Sequence, residues 1–139
     1  MFIEQLSVGQ TAESQKTISI ADIEAFANVS GDHNPVHLDA EFAATTPFKG
    51  VIAHGMLSAS FISAILGTTL PGEGTIYLGQ TLKFLAPVRP GDTVRTVVTV
   101  KEIGDKRRVI CHTACYVGET QVIDGEATTM VPSEKRKSA

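Results

Sequence analysis

Apolar positions along the chain follow two different periods, and the change falls near Gly74. Before it the spacing is helical. Ile20, Ile23, Phe26 and Ala27 recur three and four apart, behind Ser19 as an N-cap and Asp22 as the capping acid of the first turn. Gly31 suits the left-handed position that ends such a helix. Pro35 disfavours helix at Asn34 but fits the first turn of a new short helix running through Phe42, so Asp32 to Asn34 read as a turn. From Met56 to Leu66 nearly every residue is apolar or small, the pattern of a buried helix, with Gly67 and Pro71 as its stop.

Beyond Gly74 the period is two. "TIYLGQTLKFLAPV", "DTVRTVVTVKEI", "RRVICHTACYV" and "TQVIDGEATTMV" read as four strands, separated by turn signals at Pro90-Gly91, Gly104-Asp105 and Gly118-Glu119. In the first of these, Ile76, Leu78, Leu82 and Phe84 fall on one face. "TAESQKTIS", residues 11–19, adds a fifth strand near the N-terminus. One strand, then helices, then four strands in a row implies an α+β fold, with a five-stranded antiparallel sheet wrapped around one central buried helix. Such a sheet leaves an open edge, which a second copy of the chain can cover, so a homodimer is expected.

Composition narrows the class further. With 139 residues the chain is one domain by length, read as 1–132, with a frayed basic tail at 133–139. A net charge of −3 argues against nucleic acid as the main partner, since phosphate binding wants a basic face. No apolar run reaches the ~20 residues of a membrane span, and the N-terminus lacks the pattern of a secretion signal, so no membrane association and a cytoplasmic location are expected. Cys111 and Cys115, four apart on a strand, lie ~13 Å from each other at the usual rise and read as reduced core residues.

The chemistry concentrates in "SGDHNPVHLD", residues 30–39. His33 and His37 have the spacing of a zinc helix, but Pro35 between them breaks any shared helix face, so no metal is expected. Asn34 and Asp32 each have a structural role available, as an Asx-turn and a helix cap. Asp32 and His37 together exceed what capping needs: a carboxylate and an imidazole at two ends of one bend can orient a water and move its protons. In "IAHGML", Gly55 opens the buried helix, where backbone N–H groups lack internal partners and negative charge is favoured. A thioester carbonyl placed there is polarised, and glycine leaves room for its approach, although a glycine that merely packs at a tight helix entry fits the sequence equally well. His54 reads as structural.

"FANVSGDHNPVHLD" (26–39), "AATTPFKGVIAHGML" (43–57), "GEGTIYLGQTLKFLAPVRPGDTV" (72–94) and "VIDGEATTMVP" (122–132) together resemble the MaoC-like domains of the (R)-specific enoyl-CoA hydratases, the hydratase 2 family. The chain is most similar to the short single-domain members that supply polyhydroxyalkanoate synthesis. The resemblance implies a hot-dog fold whose site is carried on a helical overhang, and a homodimer. It implies Asp32 and His37 as the catalytic pair, the Gly55 N–H as oxyanion donor, and Ser63 as a supporting polar group, although Ser63 can equally bond back to the carbonyl of Ala59. The implied reaction is reversible syn addition of water to a trans-2-enoyl-CoA, giving the (R)-3-hydroxyacyl-CoA without metal or cofactor. Coenzyme A carries phosphates, so Lys83, Arg89, Lys106, Arg107 and Arg108 are candidate contacts. An acyl-carrier-protein dehydratase, a hot-dog thioesterase and a non-catalytic acyl-CoA-binding module are the competing readings.

Overall fold

The computed structural model describes residues 1–136. Its five strands are β1 (Thr11–Thr17), β2 (Ile76–Phe84), β3 (Thr93–Ile103), β4 (Arg108–Val117) and β5 (Thr120–Met130). They form one antiparallel sheet in the order β1-β3-β4-β5-β2. Four helices fill the long connection from β1 to β2: α1 (Ile20–Ser30), α2 (Pro35–Leu38), α3 (Ala40–Ala44) and α4 (Gly55–Thr68).

Local chemistry sets the boundaries of the first helices. The Ser19 hydroxyl accepts from Asp22 N–H while the Asp22 carboxylate accepts from Ser19 N–H, a reciprocal capping box. Gly31 ends α1 at φ 82°, donating its N–H to the Ala27 carbonyl. The helix expected from Pro35 through Phe42 is instead two helices. Asp39 stands extended between them, and its carboxylate accepts from the N–H groups of Glu41 and Phe42 to start α3. An aspartate that can bond the backbone ahead of it favours a cap over a helix interior.

Helix α4 lies against the sheet. Leu57, Ala59, Ile62, Ile65 and Leu66 share one core with Val94, Val98, Val100, Val109, Cys111, Cys115, Val122, Ile123 and Ala127 of β3, β4 and β5. Two expectations are corrected here. The helix continues through Gly67 to Thr68, with Thr69 as its C-cap, because nothing crowds Gly67 and the backbone has no need of a positive φ there. It is also buried along one side only: Met56, Ser60, Ser63, Ala64 and Gly67 are exposed. These mostly small residues blur the periodicity that would have revealed a bare face.

The apolar alternation of β2 is likewise only half used. A register shift between Tyr77 and Gly79 interrupts it, and Ile76, Leu78 and Phe84 remain exposed within one chain. At the other end of the chain, the Ser133 hydroxyl donates to the Glu4 carboxylate at 2.5 Å, and the Glu134 N–H donates to it at 2.9 Å. The remaining tail, 137–139, lies outside the described residues.

Cys111 and Cys115 are fully buried, unpaired core residues. Burial pushes the Cys111 thiol up to about 11 and raises that of Cys115 as well. Because the thiolate is the reactive form, neither is expected to react with a thiol-specific disulfide reagent in the native protein at neutral pH. Both should react after unfolding in denaturant; rapid labelling of the folded chain would contradict the packing.

Candidate active site

The turn after α1 is built from its own side chains. The Ser30 hydroxyl donates to the Phe26 carbonyl at 2.6 Å and accepts the Asp32 N–H at 3.1 Å. Asp32 Oδ1 accepts the Asn34 N–H, and Asn34 Oδ1 accepts the Val36 N–H as N-cap of α2. Asn34 is thus occupied in shaping the backbone and does not line the cavity described below. His33 turns back on α1, its ring facing the Gly31 carbonyl and the Asn28 side chain.

His37 sits one turn further on. Its Nδ1–H donates to the Ile52 carbonyl at 2.8 Å, which fixes the tautomer and leaves Nε2 with a lone pair. The segment that receives this bond leads directly into α4: Ile52 N–H donates to the Val36 carbonyl and Ala53 N–H to the Val88 carbonyl. Both polar groups of the Ile52 backbone thus bond to α2, at Val36 and His37, and Ala53 ties the same segment to the loop before β3.

Asp32, His37 and Gly55 meet at one cavity of about 370 Å³. Its walls come from distant parts of the chain, including Phe48, Ile52, Phe84, Leu85, Val122 and Ile123. Gly55 is the first residue of α4, so its N–H belongs to the group left without an intrahelical partner. A Cβ at this position would stand 2.5 Å from the Phe84 ring. Gly55→Ala is therefore expected to push the ring across the cavity and away from the helix entry, lowering kcat/KM by about tenfold or more, as for a damaged oxyanion donor. An alanine variant with unchanged kcat/KM would detach Gly55 from the chemistry.

Donor atoms of Asp32, His37 and His54 lie within 4.8 Å of one another. That trio is open to a metal by spacing, but the His37 and His54 rings are stacked, with centroids 3.8 Å apart and planes 28° from parallel. Stacked imidazoles direct their in-plane lone pairs side by side rather than at a common point, which fits one ion poorly. A water between the Asp32 carboxylate and His37 is a better match, since groups this far apart can both reach it at ordinary hydrogen-bond length.

The other sequence candidates are dispersed. Ser63 lines a neighbouring hollow of about 450 Å³ with Phe26, Gln80 and Leu82, which adjoins the first through Met56. Arg89 does not line the cavity itself; it follows the lining residue Val88 and donates to the carbonyl of another lining residue, Phe48, at 2.6 Å. Lys83 pairs opposite Asp124 and precedes Phe84, so strand alternation puts it on the other face of the sheet. Lys106, Arg107 and Arg108 occupy the hairpin where Arg108 pairs with Met130. That is seven residues along β5 from the cavity-lining Ile123, roughly 24 Å at the usual rise. His54, which the sequence reading assigned a structural role, and Ser58, which it did not single out, also line the cavity; the signal in the sequence was their position beside and one turn beyond Gly55.

An antiparallel sheet carrying one long helix, with an acid, an imidazole and a helix-opening amide around one cavity, defines a hot-dog fold with an acyl-thioester hydratase type of site. The chain belongs to the MaoC like domain family, whose model matches residues 4–122. It is 54% identical to an (R)-specific enoyl-CoA hydratase of Rhodospirillum rubrum over 133 residues, 95% of this chain and 92% of that protein. Among solved structures, it superposes on the R-hydratase PhaJ1 from Pseudomonas aeruginosa with a TM-score of 0.91 at 52% identity, covering 96% of this chain and 86% of that one. The (R)-hydratase from Aeromonas caviae involved in PHA biosynthesis gives 0.90 at 45% identity, covering 93% and 99%.

Proposed function

We propose that this protein is an (R)-specific enoyl-CoA hydratase, a hydro-lyase that adds water reversibly across the double bond of a trans-2-enoyl-CoA. The observation that carries the reading is the placement of Asp32, His37 and the Gly55 amide on one cavity. Water held between Asp32 and His37 loses a proton to the pair as its oxygen bonds to C3. The electrons move onto the thioester oxygen, held by the Gly55 N–H, and C2 then takes a proton from the same pair. Delivery of both groups from one side makes the addition syn. The balance is redox-neutral: one water is consumed, one C–O and one C–H bond form, and the pair ends as it began, so the reaction calls for no cofactor.

The assay is loss of the enoyl-thioester absorbance with crotonyl-CoA and longer trans-2-enoyl-CoAs, followed by chiral analysis of the product. An (R)-3-hydroxyacyl-CoA is expected. An (S) product, hydrolysis to free CoA, or turnover confined to acyl-carrier-protein thioesters would each replace this reading.

Of the five basic candidates, Arg89 is the one we assign to the phosphates of coenzyme A, since its guanidinium donates to the carbonyl of Phe48, a residue that lines the cavity. Arg89→Glu is expected to raise KM and to reverse the sign of its salt dependence while leaving kcat within about twofold; charge reversal acts on an exposed contact that salt screens. An unchanged KM would return Arg89 to its structural bond with Phe48. Ser63, on the adjoining hollow, belongs along the acyl path rather than at the reacting carbons.

The working unit is a homodimer in this reading. The two sheet edges differ: β1 is polar, with Glu13 and Lys16, whereas β2 exposes Ile76, Tyr77, Leu78 and Phe84. An apolar edge beside the bare face of α4 invites a second copy, and charges discourage pairing at the other edge. Sedimentation at micromolar concentration should read twice the chain mass of 14.8 kDa; a monomer would remove the dimer. The reduced buried thiols suit the cytoplasm, and the likeness to the A. caviae enzyme supports a role in supplying polyhydroxyalkanoate precursors.

A further inference from the structure

His54 bonds to Asp32, stacks on His37 and precedes Gly55 in the chain, yet nothing in the reaction above uses it. Its Nε2–H donates to the main-chain carbonyl of Asp32 at 3.0 Å. One face of its ring stacks on His37 at 3.8 Å, and Phe26 of α1 packs against it at 4.9 Å. As N-cap of α4 it is bonded covalently to Gly55. Its Nδ1 is buried with no hydrogen-bond partner, as is the Ser58 hydroxyl one turn further along α4, and the two residues are 2% and 1% exposed.

We infer that His54 is a positioning residue of the hydratase site: through Nε2–H it holds the Asp32 backbone, through its ring face it sets the plane of His37, and through its own backbone it ties both to the Gly55 amide. The inference rests on the reaction proposed above for its kinetic consequence, but the arrangement itself is independent of substrate.

Three physical points support it. First, a buried polar atom without a partner lowers stability. A phenylalanine occupies similar space and carries no such atom, so packing alone would favour it, and the cost is accounted for by what the rest of the ring does. Second, the donor bond to Asp32 pins the proton on Nε2. The opposite tautomer would set a nitrogen lone pair against a carbonyl oxygen. Third, an uncharged ring lying flat on His37 presents its π face to whatever positive charge that imidazole gathers as the water is deprotonated, a favourable cation–π contact. The titratable groups lining the cavity are Asp32, His37 and His54 themselves; the surrounding walls from β2, β5 and the loop before β3 are apolar.

The full-length chain with His54→Phe or His54→Gln tests this. Phenylalanine keeps a flat ring but loses the donor. Glutamine keeps a donor but loses the stack. With the enoyl thioester that the wild type turns over, each variant is expected to lower kcat by about 10²-fold, the effect of misplacing groups that must sit within an ångström. KM should stay within about twofold, because the cavity walls are unaltered. The Tm of His54→Phe should equal or exceed that of the wild type. In parallel, ¹⁵N–¹H spectra of the substrate-free wild type should show His54 protonated on Nε2 and bare at Nδ1. A folded variant with wild-type kcat, a change confined to KM, or a proton on Nδ1 would each overturn the inference. Should His54→Phe not fold, His54→Gln decides the kinetic outcome alone. If the wild type hydrates no enoyl thioester, the proposed reaction fails, while the spectrum still judges the arrangement of His54.

Discussion

Asp32→Asn is expected to cut hydration of a trans-2-enoyl-CoA by about 10²–10⁴-fold, the range typical for loss of a general acid–base group. The substitution isolates charge from shape. Asparagine keeps an oxygen to accept the Asn34 N–H, now at 3.2 Å, so the turn after α1 stays as it is. The Ser30 bond to the residue-32 N–H is a main-chain contact and also survives. What disappears is the ability of an exposed carboxylate to take a proton from the water beside it. Stability should move by no more than about 0.5 kcal/mol, as for other exposed positions. The decisive measurement is kcat at saturating substrate together with Tm. A variant as active as the parent would remove Asp32 from the mechanism, and a large fall in Tm would make the result uninterpretable as chemistry.

His37→Ala should lose turnover on a similar scale, about 10²–10⁴-fold, for a complementary reason. The imidazole is the other half of the water site, and its lone pair on Nε2 exists because Nδ1–H is committed to the Ile52 carbonyl. Alanine removes both the reacting nitrogen and that 2.8 Å bond, so this variant should also be destabilised, by about 1 kcal/mol. The double variant, Asp32→Asn with His37→Ala, should be scarcely slower than either single one, because two groups gripping one water act as a unit. Losses that multiply in the double variant would show two independent roles instead of a shared one.

Much of this site is legible in the sequence because its key features are local. Ser19, Asp22, Gly31, Asn34 and Pro35 act on backbone groups within a few residues of themselves, and the structure uses each as its chemistry dictates. Strand periodicity likewise located four strands after Gly74 to within a few residues. Failures arise where two local preferences compete or where small residues hide a face. Asp39 prefers to cap, which splits the helix after Pro35. Gly67 is a permissive helix residue as well as a stop, and with open space around it and no positive φ it stays in the helix. The bulge in β2 and the exposed side of α4 depend on neighbours far along the chain.

By itself, then, the sequence determined which short segments fold, and that the bend at 30–39 carries an acid and an imidazole at a set spacing. Only the tertiary structure decided what surrounds them. The sheet order β1-β3-β4-β5-β2 brings the end of β2 and the start of β5 to the same cavity as the opening of α4. The same order carries Lys106, Arg107 and Arg108 to the far end of the sheet, while Arg89, outside the strands, bonds to the cavity-lining Phe48. It also stacks His54 on His37, across seventeen positions of chain, a contact that no spacing rule anticipates. The reason is physical: turns and caps are paid for by bonds within one or two turns of backbone, whereas a cavity is assembled by burying apolar faces against each other, and that depends on every strand at once.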